Sequence, residues 1–208
     1  MDGHRRRVQG YDCGVYKIKL TQSGLCGKEL LQKIQTYTGG ALNGPYEPMI
    51  VKRTKPQKQW ILTWMGKDLV KRFRYMGFTP RKSLTAVVPD VPRHLRSHFF
   101  RGVFDGDGSF TETIRTGTLV MTITGGSRKV METLAQWIKE ETGQKSCIME
   151  TRRICPKSKK LGTYWVFHLS ENPTRIVAEW MYRSKEDSVW LARKFDRFMQ
   201  QHQLLKSA

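Results

Sequence analysis

Hydrophobic and polar residues alternate over 15–22, Val15-Tyr16-Lys17-Ile18-Lys19-Leu20-Thr21-Gln22, which is the period of a strand with one buried face. The period then changes. Leu30, Leu31 and Ile34 fall at helical spacing and predict a helix over 27–37, closed by Thr38-Gly39-Gly40. Strands over 48–53 and 59–64 follow on either side of a basic turn, Thr54-Lys55-Pro56-Gln57-Lys58. A short basic helix over 67–75 ends at Gly77.

The second half restates this order. Strands over 109–115 and 118–124 form a predicted hairpin across Thr116-Gly117. Val130, Leu134, Trp137 and Ile138 share one face of a helix over 127–141, closed by Thr142-Gly143. Strands over 145–152 and 163–169 flank another basic turn, and helices over 173–181 and 187–199 complete the chain. Thr38-Gly39 answers Thr142-Gly143 at an offset of 104, and Trp60 answers Trp165 at 105. Asp2-Gly3 answers Asp107-Gly108 at 105 as well. The pattern is therefore a duplicated α+β unit. The expected division is an N-terminal half over 1–79, a proline-bearing linker over 80–93 and a C-terminal half over 94–208.

Charge narrows the function. Lys and Arg number 37 against 18 acids, a formal charge of +19 in 208 residues, which points to a polyanionic partner, most simply nucleic acid. No apolar run reaches the roughly 20 residues that span a bilayer. The N-terminus lacks a signal-peptide core, and the expected setting is intracellular: the cytoplasm of a bacterium or phage host, or an organelle, with no secretion and no membrane partner. Cys13, Cys26, Cys147 and Cys155 have no metal-binding spacing and read as reduced thiols. His94 and His98 stand four apart without a third ligand nearby and read as a helix-surface or nucleic-acid-facing pair.

The densest chemistry lies in Phe100-Arg101-Gly102-Val103-Phe104-Asp105-Gly106-Asp107-Gly108, with Ser109-Phe110 after it. A calcium loop starting at Asp105 would need glycine at Phe110 and glutamate at Thr116, so that reading fails. Gly102 and Gly106 lie four apart on one helix face, where the lack of side chains lets a second helix come close. The run resembles the LAGLIDADG motif of homing endonucleases and intron maturases. It keeps glycine third, acid eighth and glycine ninth, and departs with Arg101 where the family has alanine.

The resemblance implies two pseudo-symmetric αββαββα halves with curved antiparallel sheets that form a saddle over DNA, with Gly102 and Gly106 in the seam. It implies that Asp107 is the catalytic, metal-binding acid, with the Gly106 carbonyl also facing the metal, and that Asp105 is structural. It implies site-specific, Mg2+-dependent cleavage of double-stranded DNA at a long target, with Mn2+ as a substitute ion. It makes Lys67, just past a strand end, the basic catalytic residue. A carboxylate is a suitable hard ligand for Mg2+, and a bound Mg2+ activates water and stabilises the leaving oxygen.

Only one motif copy is complete. Asp2 stands where the first motif would end, without the preceding helix, and is the candidate first-site acid and metal ligand. A fragment, a chain that pairs with another, and a decayed copy that binds without cutting each account for this. The 99–104 segment (Phe99-Phe100-Arg101-Gly102-Val103-Phe104) is then expected to expose apolar surface and to drive self-association or pairing with an upstream fragment. Strand alternation and the basic turns supply the candidate DNA contacts: Lys17, Lys19, Arg53, Lys55, Lys58, Thr111, Thr113, Arg115, Thr122, Thr124, Arg152, Arg153, Lys157, Lys159 and Lys160. The alternative function is a non-cleaving DNA- or RNA-binding protein of the same fold, such as a maturase, whose partner is intron RNA.

Overall fold

The structure, a computed structural model, describes residues 16–46, 58–78, 84–114, 116–154, 161–183 and 189–207. The chain divides into two compact units, Met1–Tyr75 and Met76–Ala208. Asp2, Arg53, Lys55, Arg115, Lys157, Lys159 and Lys160 lie outside the described residues, as does the strand expected over 48–53.

In the first unit, β1 (Lys17–Ser23) leads into α1 (Gly24–Thr38), β2 (Ala41–Tyr46), β3 (Gln59–Met65) and α2 (Lys67–Tyr75). The sheet is antiparallel with the order β1-β3-β2. α1 lays Gly27, Leu30 and Leu31 on it, and Leu62 beneath is fully buried. β2 is a strand that the hydrophobic pattern does not signal. Ala41-Leu42-Asn43-Gly44-Pro45-Tyr46 carries three turn-forming residues in a row. It pairs because it is an edge strand, and its register shifts between Asn43 and Tyr46, where Gly44 and Pro45 sit.

In the second unit a turn of 3-10 helix (Arg93–Leu95) opens α3 (Arg96–Asp107). Then come β4 (Gly108–Glu112), β5 (Leu119–Gly125), α4 (Arg128–Thr142), β6 (Cys147–Ile154), β7 (Leu161–Leu169), α5 (Glu171–Tyr182) and α6 (Ala192–Ser207). The sheet is antiparallel with the order β4-β5-β7-β6. One face carries Phe110, Leu119, Met121, Ile123, Phe167 and Leu169 into a core closed by α3, α4 and α5. This is αββαββα with one helix, α6, added.

The duplication is visible in detail. The series β5-α4-β6-β7-α5 repeats β1-α1-β2-β3-α2, and the strand order β5-β7-β6 repeats β1-β3-β2. Gln22 stands opposite Trp60 as Gly125 stands opposite Trp165. Both long helices end alike: Thr38 and Thr142 each donate to the carbonyl four residues back at 2.7 Å, and Gly39 and Gly143 follow with positive φ. One approach of strand to helix has exchanged its sizes. A Cβ on Gly27 would come within 2.9 Å of Gln22 Cβ, while a Cβ on Gly125 would come within 2.7 Å of Met131 Cε. Gln22 and Gly125 are equivalent, as are Gly27 and Met131, so each half keeps one glycine here but on opposite partners.

Two expectations are corrected by the structure. Phe100 and Phe104 are fully buried in their own unit, packed edge-on or tilted against Phe167, Trp180 and Phe110, so α3 does not present them for association. β4 ends at Glu112, and Thr113 belongs to the turn, where its hydroxyl donates to Glu171 Oε1 at 3.0 Å. Arg152 lies in β6, within the strand expected over 145–152. It alternates with Thr151 and pairs with Glu150 at 3.2 Å on the side opposite to Thr122 and His168.

Candidate metal centre and nucleic-acid interface

α3 forms because Phe99, Phe100, Val103 and Phe104 repeat at helical spacing behind Pro92. It ends at Asp107 because Gly108 turns extended (φ −92°, ψ 168°) and caps it by donating N–H to the Phe104 carbonyl. Only glycine fits here: a Cβ on Gly108 would lie 2.2 Å from Phe104 Cδ2 and 2.7 Å from the Phe104 carbonyl oxygen. The ninth place of the motif is thus fixed by packing within the chain.

The helix has two very different sides. Gly102, Gly106 and Asp107 are exposed, and a Cβ added at either glycine would meet no atom within 4 Å. On the other side Arg101 and Asp105, four apart, are 1% and 5% exposed. Arg101 donates to the Met181 carbonyl at 2.6 Å and the Val189 carbonyl at 3.3 Å, and stands 2.8 Å from His98 Nδ1. His98 is therefore engaged with Arg101 and is not simply a surface partner of His94. Asp105 Oδ2 accepts the Leu191 N–H at 2.8 Å. Lys194, also buried, donates to the carbonyls of Asp105 (2.9 Å), Gly108 (2.6 Å) and Phe104.

Burial sets the titration of this cluster. It pushes the Asp105 carboxyl up to about 6, against the pull of the Leu191 N–H, Lys194, Arg101 and Arg193. It lowers Lys194 to about 8, with Asp105 resisting, and raises the Tyr182 phenol well above its ordinary value. The Arg101 guanidinium is lowered for the same reason. Asp105 is thereby committed to structure, as the motif reading expects.

Asp107 is placed differently from Asp105. It is exposed and makes no hydrogen bond or ion pair among the described residues. Lys194 takes the carbonyls on either side of Gly106 and not that of Gly106 itself. No cluster of three or more His, Cys, Asp or Glu exists among the described residues. One carboxylate with one carbonyl nevertheless suits Mg2+, which keeps several waters and takes its remaining oxygens from a substrate phosphate. The donor set fits a hard divalent ion that is shared with a nucleic acid, and does not fit a closed structural metal site.

β4 leads straight from Asp107 onto the open face of the second sheet. Ser109 and Thr122 are paired and share a hydrogen bond of 2.9 Å, and His168 and Cys147 continue that row. Thr111 and Thr124 lie on the same face, as does the backbone position of Arg153. Strand register thus gathers Thr111, Thr122 and Thr124 and adds His168, which local pattern does not mark. In the first unit, Lys17, Lys19 and Thr21 share an exposed face with Ile61, Thr63 and Met65. Lys58 directly precedes β3, and Lys67 is the exposed first residue of α2.

Residues 95–190, which hold this helix end and sheet, match the model of the LAGLIDADG-like domain. The α+β fold, with two antiparallel sheets, is LAGLIDADG-like. Among solved structures, the N-terminal LAGLIDADG domain of DUF199/WhiA aligns at 13% identity over 90% of this chain and 78% of its own, with a TM-score of 0.53. Mesophilic variants of the homing endonuclease I-DmoI align at 12% identity over 88% of this chain and 84% of theirs, also at 0.53. At such identities these likenesses concern the fold alone. No curated protein sequence matches the chain. No helix among the described residues is long and apolar enough to cross a membrane.

Proposed function

We propose that this protein is a site-specific endonuclease that cleaves double-stranded DNA with Mg2+, of the homing type encoded by an intron or a free-standing gene. The observation that carries the proposal is Asp107: an uncommitted carboxylate at the end of the motif helix, beside the Gly106 carbonyl and at the edge of a polar sheet face. The charge of +19 supplies the attraction for the polyanion.

Asp107 and the Gly106 carbonyl would hold Mg2+ at the scissile phosphate, with Asp2 the candidate acid for the second strand. The ion supplies Lewis-acid polarisation and a lowered pKa for water when bound, and Mn2+ can take its place. Thr111, Thr122, Thr124, Lys17 and Lys19 meet base edges or phosphates from the two sheets. Lys58, Arg53, Lys55, Arg115, Arg152, Arg153, Lys157, Lys159 and Lys160 are assigned to phosphate contacts around them. Lys67 stabilises charge on the phosphate.

A second reading keeps the same fold without the cleavage. The WhiA domain fits the chain as well as the homing endonuclease does, with equal TM-scores. On that reading the protein binds DNA, or intron RNA as a maturase, without cutting.

The test is cleavage of a randomised or host-derived duplex library by the full chain and by Asp107→Asn, with Mg2+ or EDTA. Discrete Mg2+-dependent cuts that vanish in the variant are expected. Retained binding with no cuts under any condition sinks the endonuclease reading in favour of the second. Asp2→Ala that still nicks both strands removes Asp2 from the site.

A further inference from the structure

We propose that Lys194 is a positioning residue for Asp107, which makes the added helix α6 part of the site; the functional half of this inference rests on the metal-dependent reading of Asp107. The last carbonyls of an α-helix have no partner within the helix. At the end of α3 the buried Lys194 ammonium meets that need at the Asp105 carbonyl, adds a second donor to the Phe104 carbonyl, which already accepts the Gly108 N–H, and reaches past the helix to the Gly108 carbonyl. These three carbonyls bracket Gly106 and Asp107, while the Gly106 carbonyl stays outside the grip. A cation at a helix C-terminus also opposes the negative end of the helix dipole.

The arrangement is reciprocal. Asp105 of α3 accepts the N–H of Leu191, immediately before α6, and so places a carboxylate at the positive end of α6. α3 and α6 each cap the other. Lys194 also lies 4.8 Å from the centre of the Phe104 ring, which sits under Gly108. The turn that aims Asp107 is therefore held from α6, a helix outside the αββαββα repeat. Loss of the ammonium frees the turn without removing any atom of the metal donor set.

The test compares the full chain with Lys194→Met and Lys194→Gln, the latter retaining a neutral donor. Amide hydrogen exchange at Gly108 and Ser109 is expected to rise at least tenfold in Lys194→Met, with β5 and β7 unchanged, and by less in Lys194→Gln. The Mn2+ concentration that half-broadens the Asp107 and Ser109 amide resonances is expected to rise at least fivefold in Lys194→Met. Wild-type exchange at Gly108 and Ser109 in Lys194→Met overturns the proposal. So does a wild-type Mn2+ midpoint with the turn loosened. If Lys194→Met loosens β5 and β7 as well, Lys194→Gln decides by the same two criteria. A wild-type chain that neither cuts DNA nor responds to Mn2+ sinks the reading of Asp107 instead, and the exchange measurement still judges the clamp.

Discussion

The three glycines of the motif make opposite predictions, which separates packing from function. A Cβ at Gly102 or Gly106 meets nothing within 4 Å, and both residues lie in α3. Glycine in a helix interior costs about 0.5–1 kcal/mol relative to alanine, so Gly102→Ala should stabilise the chain by about that much, and Gly106→Ala, in the last turn, by less. Gly108→Ala should do the reverse. Its Cβ would fall 2.2 Å from a fully buried Phe104 ring and 2.7 Å from a backbone oxygen, which forces a shift costing about 3 kcal/mol. Urea denaturation of the three variants measures these terms directly. If the exposed glycine face serves for close approach of a second helix, a Gly102→Leu, Gly106→Leu double variant should fold yet cleave at least tenfold more slowly, since the distance between packed helices, about 8–10 Å, is set by the side chains at the contact and two leucines would hold the second helix off. A destabilisation of about 1 kcal/mol or more in Gly102→Ala, against the sign expected, would refute the open face. Full cleavage by the double leucine variant would refute close approach.

Two other outcomes follow from charge. Asp105 titrates near 6 in the folded chain and near 3.8 in the unfolded one, so the folded chain holds the extra proton between those values. Stability should therefore fall as pH rises from about 4 to about 6, by up to about 3 kcal/mol. The groups facing Asp105 are Arg101 on its own helix, Tyr182 on α5, and Arg193 and Lys194 on α6. Lys194, lowered to about 8, adds a gain of the opposite sign between about 8 and 10.5. Urea midpoints for wild type and Asp105→Asn should diverge between about pH 4 and 6, and parallel profiles would contradict the buried-acid account. On DNA, a Lys17→Ala, Lys19→Ala variant should reduce the slope of log affinity against log salt by about 1.8, near 0.9 for each phosphate no longer neutralised. An unchanged slope removes the β1 face from the interface.

The regular elements are legible in the sequence because their faces alternate cleanly. α2 has the bounds its pattern predicts, and the paired Thr-Gly helix ends and the Trp60 and Trp165 strands mark the duplication. β2 is not legible, since an edge strand with an irregular register tolerates Asn, Gly and Pro that would break a central one. Asp107 can be read from the motif. Lys194 cannot: it is one of 37 basic residues, and what distinguishes it is a tertiary contact 86 to 90 positions away in sequence. His168 escapes a reading of local pattern because its place on the open face depends on the β5 and β7 register, which that pattern leaves open.

The arginine in the motif's second place has a physical account. Residues 101 and 105 stand one helical turn apart, away from Gly102 and Gly106, so a long side chain at 101 leaves the glycine face untouched. Burying a guanidinium is costly unless its donors are satisfied. Met181 lies in the last turn of α5, where carbonyls lack partners within the helix, and Val189 lies in the link towards α6. Arg101 supplies both. It serves as the C-terminal cap of α5, just as Lys194 serves α3 and Asp105 serves the start of α6. The departure from alanine is therefore tied to the end of α5 and to the link that follows it. It bears on how the end of α3 is held, and leaves Asp107 and both glycines as the motif requires.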